Sequence, residues 1–487
     1  MNKPLRRISL FCGLLVLALL IRTNWLQYVQ AEDLSTRKEN RRVLIAQYAT
    51  ERGNIIVQGG QPITGSAETP GSDFKFKRTY VDGPLWAPVT GYASQVFGST
   101  QLENIDDGIL TGNDDRLFFD RTIGMFTGEK KQGGNVVTTL NAAAQKAAFT
   151  GLGNRKGAVA AIDPRTGAIL ALASTPSYDP SSFAGFSKAD GKAWADLNAS
   201  PDKNLVNRAL RETYPPGSTF KVVTAAAALE NDVVTDINAP TDTPEPYILP
   251  GTRTPMVNHA SGCEKASLNE ALRVSCNSVF ANLGDKVTRD KMVQTAEKFG
   301  FNDTIDTPVR AFASVYDKTM GRDGNAQSSI GQFNTAATPL QMAMVSAAIA
   351  NDGKLMKPFM VDQLTAPNLD VIEKHEPREM SRPLSAANAQ KLQQMMVNVV
   401  DKGTGSNAKI KDTVVGGKTG TAQHGEKNAK RPYAWFISYA ENPDGTSPVA
   451  VAVVIEDSGA DREDISGGGQ AAPVAKAVME AVLKNKG

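Results

Sequence analysis

Tyr214-Pro215-Pro216-Gly217-Ser218-Thr219-Phe220-Lys221 runs directly into Val222-Val-Thr-Ala-Ala-Ala-Ala-Leu-Glu230. The change of character between the two halves marks a helix start. Two prolines cannot continue a helix, a glycine admits a tight turn, and the alanine-rich run that follows suits a helix interior. The pattern predicts a helix beginning at or near Ser218. Ser218 and Lys221 then share one face, a turn apart, close enough to exchange a proton. The hydroxyl sits at the positive end of that helix, where developing negative charge is favoured. An N-capping serine followed by a lysine gives the same pattern. Ser-x-x-Lys recurs at Ser35/Lys38, Ser72/Lys75, Ser200/Lys203 and Ser406/Lys409, but those pairs lie in polar or poorly patterned stretches and none heads a long apolar helix.

At 487 residues the chain exceeds one ordinary domain, so two or three units are expected. A hydrophobic content of 41% and a formal charge of +2 describe a globular protein with no bulk bias toward nucleic acid. His259, His375 and His424 are scattered without ligand spacing, so neither a metal site nor a cofactor is expected. Cys12 falls in a hydrophobic segment, which leaves Cys263 and Cys276 either bridged, in an oxidising compartment, or side by side as buried thiols.

Toward the amino terminus, Ile8 to Ile21 is an unbroken apolar run behind Lys3, Arg6 and Arg7 and ahead of Trp25 and Tyr28. Extended through Arg22 to Val29, with Arg22 snorkelling, it reaches the roughly 20 residues that cross a bilayer. Val29-Gln30-Ala31 resembles a signal-peptidase site but lies well past the apolar run, so an uncleaved anchor is the better reading. Arg37, Lys38, Arg41 and Arg42 on the far side blunt a charge-based orientation argument. Large domains translocate largely regardless of such charges, so the bulk of the chain is expected outside the cell membrane. The division expected is 1–31 for cytoplasmic tail and anchor, 32–137 for a small module without a catalytic constellation, and 138–487 for the second domain.

Within the module, Asp33 to Tyr48 is charged and helix-compatible, and Glu51 to Val57 reads as a turn and a short strand. Residues 58–135 are glycine-rich, with no helical period beyond about two turns. The second domain opens on two apolar runs, Gly157 to Asp163 and Ala168 to Ser174, around Asp163-Pro-Arg-Thr-Gly167, which predicts a hairpin covered on both faces. A proline-rich excursion follows the Ser218 helix (Pro240, Pro244, Pro246, Pro250, Pro255) and reads as surface loop. Ser267-Leu-Asn-Glu270 reads as a capping box opening a helix, after which Ser275-Cys276-Asn277 falls between two helical patterns. Another helix opens at Thr338-Pro339 and stops at Gly353. Strands return at Thr413 to Lys418, Tyr433 to Ala440 and Val449 to Ile455, ahead of a terminal helix from Gln470 to Asn485. Strand pair, helical block, three strands and helix make an α+β fold, an antiparallel sheet flanked by helices in which the first and last strands meet.

Ser218-x-x-Lys221, Ser275-x-Asn277 and Lys418-Thr419-Gly420 occur in that order. This set resembles the penicilloyl-serine transferase superfamily, and the surrounding chain looks like a class B penicillin-binding protein, most similar to the penicillin-binding protein A subgroup. Flanks that carry the resemblance are Thr138 to Asn141, Asp163 to Gly167, Asn207 to Leu210, Gly331-Gln332, Thr338 to Ala343 and Gly403-Thr404-Gly405, with Arg52-Gly53 at the start of the module. The resemblance implies a serine transpeptidase/β-lactamase-like fold and a peptidoglycan D,D-transpeptidase that cross-links stem peptides through an acyl-serine intermediate and is inhibited by β-lactam antibiotics. It implies Ser218, Lys221 and Ser275 as catalytic residues and Asn277, Lys418, Thr419, Gly420 and Thr421 as substrate-binding ones. It also implies an oxyanion hole from the backbone N–H groups of Ser218 and Thr421, and a polytopic glycosyltransferase as partner.

The residues set their own requirement. A serine hydroxyl is a weak nucleophile until a neighbour takes its proton. No histidine is placed to do so, which leaves Lys221. A lysine at its usual value of about 10.4 is protonated, so burial and the positive charge of Lys418 must lower it by ~3 units. Ser275 can relay the proton to a leaving amine, Asn277 can orient substrate amides, and Thr419 and Thr421 can bind a carboxylate in the positive potential of Lys418. The alternatives are a hydrolase, either a D,D-carboxypeptidase or a β-lactamase, and a non-catalytic β-lactam sensor or scaffold on the same fold. No Glu-x-x-Leu-Asn segment, which class A β-lactamases use to orient water, is present.

Overall fold

The computed structural model describes residues 3–36, 41–118, 122, 126, 128, 131–457 and 461–484. Helix α1 (Lys3–Tyr28) has no buried residue, and among the described residues it is the one helix long and apolar enough to cross a membrane. The charged segment that follows forms two short helices, Ala31–Thr36 and Arg41–Gln47; Arg37 and Lys38 lie outside the described residues.

Strand β1 (Ile55–Ile56), the hairpin β2 (Thr64–Glu68) and β3 (Phe76–Tyr80), and strand β4 (Asn135–Thr138) frame the module. Among the described residues its longest helix, Gly83–Thr90, has 8 residues, in line with the weak helical period. β1 runs parallel to β4, and β4 pairs antiparallel with β7 (Val361–Thr365), which in turn pairs with β8 (Val371–Lys374). The module therefore shares a four-stranded sheet with chain from the other side of the Ser218 helix. β4 itself crosses residue 137, where the sequence divides the units.

The second domain begins with α2 (Ala142–Leu152), whose first turn is capped by the Asn141 side chain. The expected hairpin follows as β5 (Lys156–Ile162) and β6 (Ile169–Thr175), antiparallel across the Asp163–Gly167 turn, with every residue of β6 buried. The helical block contains α3 (Lys221–Glu230), α4 (Leu268–Val274), α5 (Asn277–Val287), α6 (Pro339–Ala350) and α7 (Ala386–Lys402). The last strands are β9 (Val415–Ala422), β10 (Tyr433–Ala440) and β11 (Val449–Asp457), and α8 (Ala472–Lys484) ends the described chain. The five strands order as β9-β10-β11-β5-β6, antiparallel throughout, so first and last do meet.

Alternation along the strands divides the core. Phe436 and Val453 face α2 and α8, while Trp435, Ile437 and Val454 face the helical block, where α6 is buried over almost its whole length. The architecture is the α+β arrangement the sequence predicts, with three local differences. Ser218 lies in a turn of 3₁₀ helix, Gly217–Phe220, and the α-helix proper starts at Lys221. A 3₁₀ turn is the usual way a helix end tightens when its first N–H groups lack partners. The capping box at Ser267 is half formed: Ser267 Oγ accepts from Glu270 N, but the Glu270 carboxylate turns to the Arg273 guanidinium, a charge-assisted partner one turn on. The terminal helix starts later than Gln470 because Gly467–Ala471 forms a π turn, in which any side chain at Gly467 would strike the Trp435 carbonyl. Asn485, its expected end, lies outside the described residues.

Candidate active site

The Ser218 turn is wedged between the edge strand β9 and the loop at Gly331. Gly217 takes a positive φ of 53° and donates its N–H to Gly331 O at 2.9 Å. A methyl group on Gly331 would collide with the Gly217 backbone, and one on Gly420 would stand 3.0 Å from both Pro216 O and Thr219 Cγ2. Gly420 is thus what lets β9 lie against the Ser218 turn. Trp435 Nε1 donates to Pro215 O at 3.0 Å and fixes the turn from beneath the sheet. Ser218 is partly exposed, and among the described residues its hydroxyl makes no hydrogen bond. Catalytic hydrogen bonds of this kind often tighten only once substrate is bound.

Lys221, one turn on, is fully buried. Its Nζ donates to Ser275 O and to Asn277 Oδ1, both at 2.7 Å, and lies 3.1 Å from Ser275 Oγ. The Asn277 amide is oriented by its other end, since Nδ2 donates to Val257 O at 2.7 Å. The helix break the sequence places at Ser-Cys-Asn delivers these atoms. Ser275 caps α4 in a left-handed conformation, φ 68°, and Asn277 begins α5. Lys418, also fully buried, reaches Ser275 Oγ from β9 at 2.9 Å and its own neighbour's carbonyl, Thr419 O, at 3.0 Å. Ser275 Oγ therefore stands between two lysines.

Burial pushes the Lys221 ammonium well below its ordinary value, and the nearby charge of Lys418 pushes the same way. Burial alone brings Lys418 down to about 7. A neutral lysine has two N–H donors and one lone pair. At Lys221 a main-chain carbonyl and an amide oxygen, which can only accept, take the two donors, and the lone pair is left for a hydroxyl proton. Thr419 is 8% exposed, and its hydroxyl meets the Thr404 hydroxyl at 2.6 Å. Thr421 is exposed two residues further along the same strand.

All eight residues the sequence singles out thus lie on the Ser218 turn, at the start of α3, in the break between α4 and α5, or along β9. Three others belong to the site but carried no role in the sequence reading. Thr404 holds Thr419; Phe280 presents its ring 5.7 Å from Lys221 Nζ; Asn258 accepts from the N–H groups of Asn277 and Ser278. The Gly403-Thr404-Gly405 flank was a visible signal for the first; nothing local marks the others. Cys263 and Cys276 are bridged as a disulfide, which resolves the two alternatives left by the sequence.

The family described as "Penicillin binding protein transpeptidase domain" matches residues 157–480. The chain belongs to this family. The penicillin-binding protein A dimerisation domain matches residues 52–136, the stretch in which sequence patterning is weakest. Among named proteins, the chain is 38% identical over 507 residues to "Peptidoglycan D,D-transpeptidase PbpA" of Mycolicibacterium smegmatis, covering 99% of both chains. It is 39% identical over 498 residues to the PbpA of Mycobacterium tuberculosis, covering 100% of each. Among solved structures, penicillin-binding protein A from M. tuberculosis as a ceftriaxone acyl-enzyme complex superposes with a TM-score of 0.85 at 38% identity, covering 90% of this chain and 100% of that one. The penicillin-binding transpeptidase fold and the penicillin-binding protein A resemblance are thereby established.

Proposed function

We propose that Ser218 carries the acyl group in the peptidoglycan D,D-transpeptidase reaction of this chain, with Lys221 as its base. The observation that carries this is the Lys221 amine: fully buried, pushed toward neutrality, and donating to two groups that can only accept. Its lone pair takes the Ser218 proton as the oxygen attacks the carbonyl of the penultimate D-alanine of a stem peptide. The oxyanion is held by the N–H groups of Ser218 and Thr421, a reading supported by the close approach of Gly420 on β9 to Pro216 in the Ser218 turn. As the tetrahedral adduct collapses, the proton passes through Ser275 to the departing D-alanine amine. An amine from a neighbouring strand then attacks the ester and Ser218 recovers its proton. The terminal carboxylate of the donor meets the potential of Lys418 and the hydroxyls of Thr419 and Thr421. Asn277 keeps one N–H free to orient the peptide. A β-lactam follows the same path as far as the acyl ester.

In this reading residues 1–31 anchor the chain in the cell membrane as a single-pass segment, 32–137 form the non-catalytic module, and 138–487 form an extracytoplasmic transpeptidase domain. The shared sheet of β1, β4, β7 and β8 ties the module to the catalytic domain, which supports a spacer that holds that domain off the membrane. Nothing in 32–137 resembles a glycan-polymerising module, so the strands come from a polytopic membrane glycosyltransferase.

Intact-mass analysis after benzylpenicillin, with peptide mapping, tests the assignment. One adduct is expected, on the peptide containing Ser218, absent from Ser218→Ala and stable for minutes or longer. An adduct elsewhere removes Ser218 from its role, and loss of the adduct within seconds points to the hydrolase alternative.

A further inference from the structure

Helix α5 starts at Asn277, directly on the catalytic break, and its N-cap position is filled by Cys276, which provides no side-chain cap. A cap needs an oxygen that accepts from the first free N–H groups. Cys276 has none, and its sulfur is bonded to Cys263. The acceptor comes instead from the proline-rich excursion. Asn258 Oδ1 accepts from Asn277 N at 2.7 Å and from Ser278 N at 3.0 Å, and Asn258 Nδ2 donates to Ser278 Oγ at 2.8 Å and Glu245 Oε1 at 2.9 Å. The next carbonyl back, Val257 O, receives the Asn277 side chain. Residues 257 and 258 thus grip Asn277 by main chain and side chain together, and the disulfide fastens the far end of the same loop to Cys276. The atom so fixed is Asn277 Oδ1, 2.7 Å from Lys221 Nζ.

We propose that Asn258 is a positioning residue for acylation, a cap supplied from another segment of the chain that holds Asn277 against the Lys221 amine. The proposal rests on Ser218 as nucleophile and Lys221 as its base. Without the cap the two N–H groups at the start of α5 lose their acceptor, the Ser-Cys-Asn break loosens, and the lone pair of Lys221 no longer points at a fixed place. Aspartate at 258 keeps an acceptor oxygen and adds a negative charge at a helix N-terminus, where it is favoured, but it gives up the donor that Nδ2 turns to Glu245 Oε1 and sets two carboxylates together. Paired with Glu245→Gln, whose amide can donate to it, aspartate restores the acceptor that alanine removes.

The test uses the full chain, with wild type, Asn258→Ala and the double variant Asn258→Asp/Glu245→Gln acylated by a fluorescent penicillin in a time course. The adduct is mapped by peptide in each, and thermal melting is followed in parallel. Acylation of Asn258→Ala is expected to slow about tenfold, that of Asn258→Asp/Glu245→Gln to stay within about threefold of wild type, and both to melt within a few degrees of it. Wild-type speed in the alanine variant, or equal slowing in both variants, overturns the inference while leaving Ser218 in place. Absence of an adduct on Ser218 in the wild type overturns the acyl-serine reading and the inference with it.

Discussion

Among the described residues, two of the places where this molecule buries charged side chains do so in opposite ways. In the module, Glu103 lies between Arg52 Nε at 2.7 Å and Arg78 Nε at 2.6 Å, and Arg52 also reaches Asp107 at 2.7 Å. Burial acts to raise the Glu103 carboxyl, yet the two guanidinium groups hold it below its ordinary value. Each charge there has a partner of opposite sign. In the active site Lys221 and Lys418 share Ser275 Oγ, their hydrogen-bond acceptors among the described residues are neutral oxygens, and both are pushed down. A buried charge with its partner is a structural fastening; two buried amines without one fit the proton acceptor proposed for Ser218.

The sharpest way to break this comparison is to take away the amine. Lys221→Met preserves length and apolar bulk but removes the lone pair, and acylation by penicillin is expected to fall at least about 10³-fold. A smaller loss assigns the base elsewhere. The same contrast has a pH signature. An unfolded Lys418 holds its proton up to the ordinary value of 10.5, while the folded one releases it near about 7. Between those values the unfolded chain binds the extra proton, so Lys418 makes stability rise with pH from about 7 upward, and Lys418→Met flattens that rise. Urea titrations at a series of pH values read the slope directly. An unchanged slope would mean that Lys418 remains charged where it is buried.

Glu103→Gln attacks the other region. Loss of that charge leaves Arg52 and Arg78 buried with only Asp107, at the rim of the cluster, as a countercharge, and breaking a buried pair costs about 3–5 kcal/mol. The urea midpoint should fall by the corresponding amount while the folded protein acylates at the wild-type rate. If acylation falls in step with stability, the two regions are not separable in the way the charge pattern implies.

These regions also differed in how far they could be read from the chain. Hairpin β5–β6 and strands β10 and β11 were legible because continuous apolar runs bounded by turn residues leave a doubly covered strand as the natural outcome. The site was legible because its parts are short motifs at the element ends that build it. The module was not, because Arg52, Arg78 and Glu103 meet across long sequence separations and have no period to betray them. The cap on α5 was hidden for the same reason. Asn258 lies in a stretch that reads as loop, and the position where a cap is sought holds a cysteine. The disulfide of Cys263 with Cys276 depended on how the chain folds back, which spacing alone leaves open.

The smallest expected effect concerns Thr404, one step removed from substrate. Its hydroxyl and that of Thr419 lie 2.6 Å apart, and one proton must point from one to the other. For Thr419 to donate to the carboxylate of a stem peptide or a penicillin, its own proton must be free, so Thr404 has to be the donor. Thr404→Val keeps the shape, removes that donor and leaves Thr419 Oγ1 with an unsatisfied lone pair. Thr419 can still donate, so reversible binding should weaken only about threefold, the worth of a marginal neutral hydrogen bond, with the acylation step unchanged. Resolving the time course into its binding and acylation constants checks this. A loss confined to acylation would show that Thr419 acts on the reacting carbonyl, through β9 and the oxyanion N–H of Thr421, and not on the carboxylate.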